Sequence, residues 1–350
     1  MDTQMDTPVS ESIAPNAYPE SLADAFVCDL TFPQSPAGPL QIPDFDDAMA
    51  SRFAAGVTFT SVTIASDELT IEGPIRWLAA SRNQILSQPE RYVLAQSVAD
   101  IRRAKAEGKS AINFHFQGTN SLLGDLDMVE TYKQLGIGHM LLAYNSRNLV
   151  GDGCHEDSDV GLSRFGKALV AEMNRVRMMV DVTHCGFRTS MDAIECASAP
   201  VVFTHSNAHA LWGHQRNITD EQAKACAQTG GVIGINGVGL FLSETRFDMS
   251  PEIIGRHIDY FAELVGPQHL GLGLDSVFNI PHFLTNFASV GRDKKYPVGG
   301  YLTSNKPSFA GPDVIPQVAH WLLGRGWSVS DVRGILGENW LRVLETIWGA

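Results

Sequence analysis

The sequence lacks the features of a membrane-bound or nucleic-acid-binding protein. No apolar run is long enough to span a bilayer, and residues 1–22 have neither the basic start nor the apolar stretch of a secretory signal. Lys and Arg form no run, and the formal net charge is -13. Because nucleic acids and anionic membranes bind clustered positive charge, we expect neither as a partner. The prediction is a cytoplasmic protein with a small-molecule substrate.

Cysteine is also scarce, and its spacing points to no site. The 5 cysteines are odd in number, and none belongs to a Cys-x-x-Cys pair. This argues against both a disulfide framework and a thiolate zinc site. We expect reduced, structural thiols at Cys28, Cys154, Cys185, Cys196 and Cys226.

The chain is rich in short apolar runs of strand length. With 350 residues and 44% hydrophobic content it can bury one large core. Eight such runs lie at residues 26–32, 57–65, 111–117, 140–143, 178–183, 201–204, 232–236 and 270–274. Helical patterns lie between them, for example at 126–135, 166–175, 220–229 and 253–265. Strands and helices that alternate in this number predict a (β/α)8 TIM barrel.

An open, doubly wound sheet is the competing architecture. It is disfavoured because no glycine-rich phosphate turn follows the first strand, and because a count of eight strands favours closure. We expect residues 1–22 to be a flexible N-terminal arm and residues 23–350 to form a single barrel domain. The stretch 74–109 is predicted to be mostly helical. Residues 276–311 lack clear periodicity and follow the last strand, where an active-site lid would lie.

Three predicted strands end at ionisable side chains. His184 and His205 close the runs at 178–183 and 201–204, and Asp275 closes the run at 270–274. The C-terminal ends of barrel strands converge on one mouth, so we expect these side chains to meet there. Imidazoles and a carboxylate at such a mouth are candidates for metal binding and proton transfer.

Motifs from residue 117 to the C-terminus resemble the membrane (renal) dipeptidase family of metallo-dependent hydrolases. They are Leu142-Ala143-Tyr144-Asn145, Gly161-Leu162-Ser163-Arg164-Phe165-Gly166, Asp181-Val182-Thr183-His184, Phe203-Thr204-His205-Ser206-Asn207, Arg216-Asn217, residues 230–236 and residues 336–342. The resemblance implies a barrel that carries two zinc ions and hydrolyses dipeptides or related N-acyl amino acids through a metal-bridging hydroxide. It also suggests a homodimer.

The resemblance assigns roles to individual residues. His184 and His205 match ligands of the second metal, and Asp275 matches a proton-transfer aspartate. Arg216 matches the residue that binds the substrate carboxylate, and Asn217 follows it in the same motif. Tyr144 stands where many members have a substrate-contacting histidine, so it is a candidate for both catalysis and substrate binding.

The sequence departs from the family pattern at the first metal. The family's first strand ends in Asp-x-His-x-Asp, and here Asp29, Thr31 and Pro33 occupy those three positions. The bridging glutamate is matched by Gln117, whose neutral amide cannot link two cations as a carboxylate does. After Asp275 the usual Phe-Asp-Gly is replaced by Ser276-Val277-Phe278. These departures predict at most one zinc ion, and allow for none.

Replacement ligands could come from the neighbouring strands. Strand alternation puts His115 and Gln117 on one face of their strand, and Asp29 and Thr31 on one face of theirs. If these faces point into the mouth, His115 could join His184 and His205 at one zinc ion, with Asp29 or Asp275 as the carboxylate, and Gln117 is a further candidate ligand. The alternative is that His115 is a hydrogen-bonded interior histidine.

Two functions are compatible with these residues. The first is a dipeptidase-like hydrolase that acts on a small carboxylate-bearing amide with an atypical, at most mononuclear, metal site. The second is a metal-free member that catalyses another acid-base reaction, as an isomerase, cyclase or lyase, or that only binds a small molecule. The overall resemblance favours the hydrolase.

Overall fold

The computed structural model describes residues 17–34, 44–69, 71–245, 247–281, 283 and 308–349. Its strands are β1 (Cys28–Phe32), β2 (Phe59–Ser66), β3 (Tyr92–Leu94), β4 (Ser110–Gln117), β5 (Ile137–Leu141), β6 (Met179–Asp181), β7 (Val201–Val202), β8 (Ile233–Ile235) and β9 (Leu270–Leu272). All eight apolar runs of the sequence form strands. The fourth run, 140–143, lies in β5, which begins earlier than predicted, at Ile137, because Gly138 and His139 interrupt its apolar pattern.

The helices alternate with the strands. They are α1 (Asp44–Ala54), α2 (Glu72–Leu86), α3 (Val98–Ala106), α4 (Asp127–Gln134), α5 (Arg164–Arg175), α6 (Phe187–Cys196), α7 (Asp220–Gln228), α8 (Gly239–Leu242), α9 (Pro251–Val265), α10 (Val314–Gly324), α11 (Val329–Arg333) and α12 (Asn339–Trp348). A π-helical turn at Gly334–Glu338 joins α11 to α12. None of the helices described is long and apolar enough to cross a membrane.

Eight parallel strands close into a barrel. The hydrogen-bonded order is β7-β6-β5-β4-β2-β1-β9-β8, and a parallel bridge between Phe203 and Ile233 joins β7 to β8. The short β3 pairs with the first residues of β4, outside this ring. The predicted (β/α)8 barrel is therefore confirmed. The stretch 74–109 contains β3 between α2 and α3, a strand too short for its pattern to reveal.

A β-bulge in β1 changes which way its side chains point. Asp29 pairs with Thr60 and Phe32 with Val62, so three steps of β1 cover two steps of β2. The extra residue breaks the alternation that was predicted to put Asp29 and Thr31 on one face. Asp29 instead contacts Arg52 of α1, whereas Thr31 reaches His205 across the barrel.

The bottom of the barrel is closed by α12. Trp340 is fully buried and donates from Nε1 to the carbonyl of Leu272 at 3.0 Å. A Cβ on Gly271 would lie 2.3 Å from that nitrogen, which explains why β9 has glycine there. Of the predicted N-terminal arm, residues 1–16 lie outside the described part. Leu22, at its end, is buried in the barrel's core.

Candidate active site

Two histidines face each other at the barrel mouth. His184 follows β6 and His205 follows β7, and their Nε2 atoms are 3.0 Å apart. Only 5% of His184 and none of His205 is exposed. The structure thus brings together the two residues that the sequence placed at strand ends.

A buried carboxylate sets the orientation of His205. The Thr204 hydroxyl donates to Asp181 in a short contact, and His205 Nδ1 lies 2.9 Å from the same hydroxyl. The Thr31 hydroxyl lies 3.0 Å from the same nitrogen, so two hydroxyls hold the His205 ring in place. Burial raises the pKa of Asp181, against hydrogen bonds from Thr204 and Thr183 that lower it. Burial also holds the pKa of His205 well below its usual range.

An amide sets the orientation of His184. Its Nδ1 lies 2.6 Å from the Asn145 carboxamide oxygen, which is an acceptor, so Nδ1 of His184 carries the ring hydrogen. The Tyr144 ring stacks on the imidazole with ring centroids 4.1 Å apart. Both His184 and Asn145 have positive φ, of 68° and 61°. The two strand ends are therefore bent sharply to bring these groups together.

The two Nε2 atoms are close enough for one imidazole to donate a hydrogen bond to the other, or for both to bind a single metal ion. Among the residues the structure describes, no group of three or more His, Cys, Asp or Glu side chains could hold a metal ion.

Asp275 follows β9 in a left-handed conformation. Its φ is 56°, and Asn236 donates to its Oδ2 at 3.4 Å. Asn236 is itself fixed, because its Oδ1 accepts from the backbone of Val238 at 2.6 Å. The carboxylate of Asp275 is thus held by the side-chain amide of Asn236, which directly follows the neighbouring strand β8.

Asp29 is engaged away from the histidines. It is fully buried and forms an ion pair with Arg52, with 2.5 Å between Oδ2 and Nη1. Its Oδ1 accepts from the backbone of Leu274 at 2.9 Å. These contacts argue against the ligand role predicted for Asp29, because the β1 bulge turns it toward α1.

His115 behaves as an interior histidine. Its two ring nitrogens each lie 2.9 Å from a hydroxyl, of Ser61 and of Thr63. It also stacks on His139 at 4.4 Å, and burial lowers its pKa to about 3. With both nitrogens engaged, this geometry favours the alternative role over metal binding. Gln117 ends the same strand and is 5% exposed, and it too belongs to no metal-binding group of the described residues.

Arg216 lies beside the histidine pair. It is 3% exposed, donates from Nη2 to the carbonyl of His205 at 3.2 Å, and lies over the Phe241 ring. Its Nε has no hydrogen-bond partner among the described residues. Asn217 is held by the carbonyls of Trp212 and Phe241 at 2.8 and 2.9 Å. Both residues, with His184, line a cavity of about 250 Å³.

Sequence reasoning missed two residues that organise the mouth. Asp67, just after β2, accepts from the backbones of Thr119, Asn120 and Tyr144. Burial raises its pKa, while these bonds oppose the rise. The other is Arg52. An acidic residue directly after an apolar strand was a signal for Asp67, whereas Arg52 looks like any cation on a surface helix.

Comparison with known proteins identifies the family of this chain. The model of the membrane dipeptidase family, Peptidase family M19, matches residues 55–290. The chain belongs to this family. Its relatives include an uncharacterized protein of the pqqA 5' region of Klebsiella pneumoniae, 29% identical over 281 residues that cover 77% of this chain and 94% of that protein. Dipeptidase tcpJ of Claviceps purpurea is 28% identical over 260 residues, or 74% of this chain and 56% of that protein.

Solved structures resemble the whole barrel. An amidohydrolase from Pseudomonas aeruginosa superposes with a TM-score of 0.84 and 31% identity, over 97% of this chain and 100% of the other. A metallo peptidase from Rhodobacter sphaeroides, liganded with a phosphinate mimic of the dipeptide L-Ala-D-Ala, has a TM-score of 0.70 at 22% identity. The match covers 89% of this chain and 91% of that one, and at this identity it shows the fold.

Proposed function

We propose that this protein hydrolyses a small amide or dipeptide-like substrate that carries a free carboxylate. The observation that carries the proposal is that Arg216 and the histidine pair form one unit. Arg216 donates to the His205 carbonyl at 3.2 Å, and it lines the same cavity as His184. A cation fixed beside proton-accepting nitrogens suits a substrate whose carboxylate lies close to the bond that breaks.

Each residue of the unit has a separate task. Arg216 binds the substrate carboxylate, Asn217 lines the cavity beside it, and Tyr144, which stacks on His184, contacts the substrate. Asp275 takes a proton from the attacking water and delivers it to the leaving nitrogen as the C–N bond breaks. His184 and His205 would hold a metal ion at their Nε2 atoms, and its positive charge would lie close to where negative charge develops on the carbonyl oxygen.

The metal content is the part of the proposal that departs from the family. Thr31, Pro33 and Gln117 stand where the family supplies ligands for the first ion, so we expect at most one zinc ion per chain. His184 and His205 would hold it through Nε2. A zinc ion bound there would lower the pKa of a bound water. The donors described are too few for a pair of ions.

Hydrolysis is preferred to another acid-base reaction. Two fungal relatives are named dipeptidases, although the chain spans only 56% of their length. An isomerase, a cyclase, a lyase or a simple binding protein has no comparable support. A small-molecule substrate without nucleic-acid or membrane partners, a cytoplasmic location and a homodimer remain predictions.

The test combines a metal assay with a substrate panel. Protein purified without chelator is expected to contain at most about one zinc per chain by elemental analysis. Dipeptides, including L-Ala-D-Ala, and N-acyl amino acids are then offered, with their C-terminal amides as controls. Cleavage of the acids and not of the amides supports the proposal. Two tightly held metals, or equal cleavage of acids and amides, would contradict it.

Asp275→Asn is the matching variant. It keeps the size of the side chain and removes the proton acceptor, so kcat should fall by about 10²- to 10⁴-fold. A variant with wild-type kcat would show that another group transfers the proton.

A further inference from the structure

We propose that Arg52 and Asp29 are positioning residues that hold Asp275 in its left-handed conformation through the residues on either side of it. The inference rests on the proposed function, in which Asp275 transfers the proton. It adds an ion pair, formed by a helix and a strand, that controls the geometry of this carboxylate. We call the Asp29–Arg52 ion pair, with its bonds to Leu274 and Ser276, the clamp.

One arm of the clamp holds the residue before Asp275. Asp29 Oδ1 accepts from the backbone N–H of Leu274 at 2.9 Å. Asp29 is fully buried and lies at the β1 bulge. Leu274, the residue directly before Asp275, is therefore tied to β1 by a hydrogen bond to the carboxylate of Asp29.

The other arm holds the residue after Asp275. Arg52 uses Nη1 for Asp29, at 2.5 Å, and Nη2 for the Ser276 hydroxyl, at 2.6 Å. The guanidinium also lies over the Phe32 ring, 4.3 Å from its centroid. Arg52 is 2% exposed and Ser276 is 4% exposed. One planar group thus links β1, α1 and the segment after β9.

The backbone of Asp275 explains why two arms are needed. Its φ of 56° is a conformation that residues other than glycine adopt rarely, and it persists only where the surroundings enforce it. With Leu274 and Ser276 both fixed, the peptide units around Asp275 have little freedom to relax. The carboxylate is then held near Asn236, which donates to its Oδ2.

The second arm depends on the side chain of Ser276, because its hydroxyl is the group that accepts from Arg52. A purely structural ion pair would require Asp29 and Arg52 alone, and it would place no requirement on Ser276.

The decisive variants change Ser276 and leave the ion pair intact. Ser276→Ala removes the acceptor of Arg52, and Ser276→Thr keeps a hydroxyl. We expect Ser276→Ala to lower kcat about tenfold, the effect of about one hydrogen bond to a charged group, with KM nearly unchanged. Ser276→Thr should restore kcat. Ser81→Ala is the matched control, because that hydroxyl is buried in α2 and has no hydrogen-bond partner among the described residues.

A second pair of variants changes the cation. Arg52→Lys keeps the charge but cannot serve two partners in the same plane, so kcat should fall while the fold is kept. Arg52→Met leaves Asp29 buried without its partner and could fail to fold, which is why the serine variants carry the test. All variants are assayed with the best dipeptide of the substrate panel, beside Asp275→Asn.

The outcomes separate the clamp from the proposed function. If Asp275→Asn is inactive and Ser276→Ala loses kcat with rescue by threonine, the clamp is supported. If Asp275→Asn is inactive while Ser276→Ala matches wild type, the clamp is wrong and the proposed function stands. If Asp275→Asn keeps wild-type kcat, the proposed role of Asp275 fails and the clamp fails with it.

A structural measurement covers the case in which no panel substrate is cleaved. Crystal structures of wild type and of Ser276→Ala report φ of residue 275 directly. A left-handed Asp275 in wild type that becomes extended, or takes two conformations, in the variant supports the clamp. The same φ with equal order in both proteins overturns it.

Discussion

At the scale of single residues, the mouth concentrates backbone strain. Among the described residues, positive φ at non-glycine positions occurs at Leu123, Asn145, Arg177, His184, Asp275 and Asn279. Three of them, Asn145, His184 and Asp275, are groups of the candidate site. Each such residue costs about 1–2 kcal/mol relative to a right-handed one, and Asn and Asp pay the least. At these three residues, the left-handed backbone bends the chain after a strand end and brings the side chain to the barrel mouth.

Arg216 should govern substrate binding more than turnover. Arg216→Met removes the cation while it keeps an unbranched apolar stem over Phe241. We expect substrate binding to weaken by about 2–4 kcal/mol, because a buried bidentate pair with the carboxylate is lost. Steady-state kinetics would show this as a raised KM with a smaller change in kcat. Arg216→Lys should fall between the two, since an ammonium offers a point charge rather than a fork. An unchanged KM in both variants would remove Arg216 from the site.

His115 should make stability depend on pH. The folded protein keeps this ring neutral down to a pKa of about 3, whereas the unfolded chain protonates near 6.5. As pH falls below 6.5 the unfolded state binds a proton that the folded state does not bind. The free energy of unfolding should therefore fall by about 1.4 kcal/mol per pH unit for this ring.

Urea unfolding at pH 7.5, 6.0 and 4.5 measures this dependence. His115→Gln should flatten the decline between pH 6.0 and 4.5 by about 2 kcal/mol. If His115→Gln shows the wild-type slope, the ring is protonated in the folded protein as well.

At the scale of elements, strands were easier to predict from sequence than the contacts between them. Apolar runs revealed the barrel strands because buried parallel strands are nearly continuous in apolar residues. The β1 bulge left no such signal, and it moved Asp29 away from the face it was expected to share with Thr31. The Asp29–Arg52 pair was equally hidden, since it depends on how α1 packs against β1. The residues that follow strand ends could be predicted because the C-terminal ends of all barrel strands meet at one mouth, and this does not depend on the register of any one strand.

The end of β1 offers a test of the departure from the family. Thr31→His, Pro33→Asp and Gln117→Glu together restore the family's residues at the first metal. The Thr31 hydroxyl lies 3.0 Å from His205 Nδ1, so a side chain at position 31 reaches the histidine pair. We expect the triple variant to gain zinc and dipeptide hydrolysis together, measured by elemental analysis and by turnover. Gln117→Glu alone is the control and should gain neither. A folded triple variant without added zinc would place the departure elsewhere in the chain.

At the scale of the whole molecule, the two ends of the barrel serve different purposes. The histidines, Asp275 and Arg216 lie at the C-terminal ends of the strands, while α12 packs under the N-terminal ends. Trp348 of this helix donates to the carbonyl of Gly138 at 3.1 Å and packs edge-on against Phe59. Gly138 and Phe59 lie at the starts of β5 and β2. In such barrels the mouth carries chemistry and the bottom carries stability.

Trp348 and Asp275 should therefore give opposite results. Trp348 is 7% exposed, so Trp348→Ala should lower the free energy of unfolding by about 3–5 kcal/mol, while kcat and KM at a temperature where the variant is folded stay at wild-type values. Trp348→Phe, which loses mainly the bond to Gly138, should cost only about 0.5–1.5 kcal/mol. Asp275→Asn should leave the unfolding curve nearly unchanged and lower kcat. Denaturant unfolding and steady-state assays on the same preparations measure the free energy of unfolding and kcat of each variant. If Trp348→Ala lowers kcat as strongly as it lowers stability, the bottom of the barrel is coupled to the mouth and the two ends are not independent.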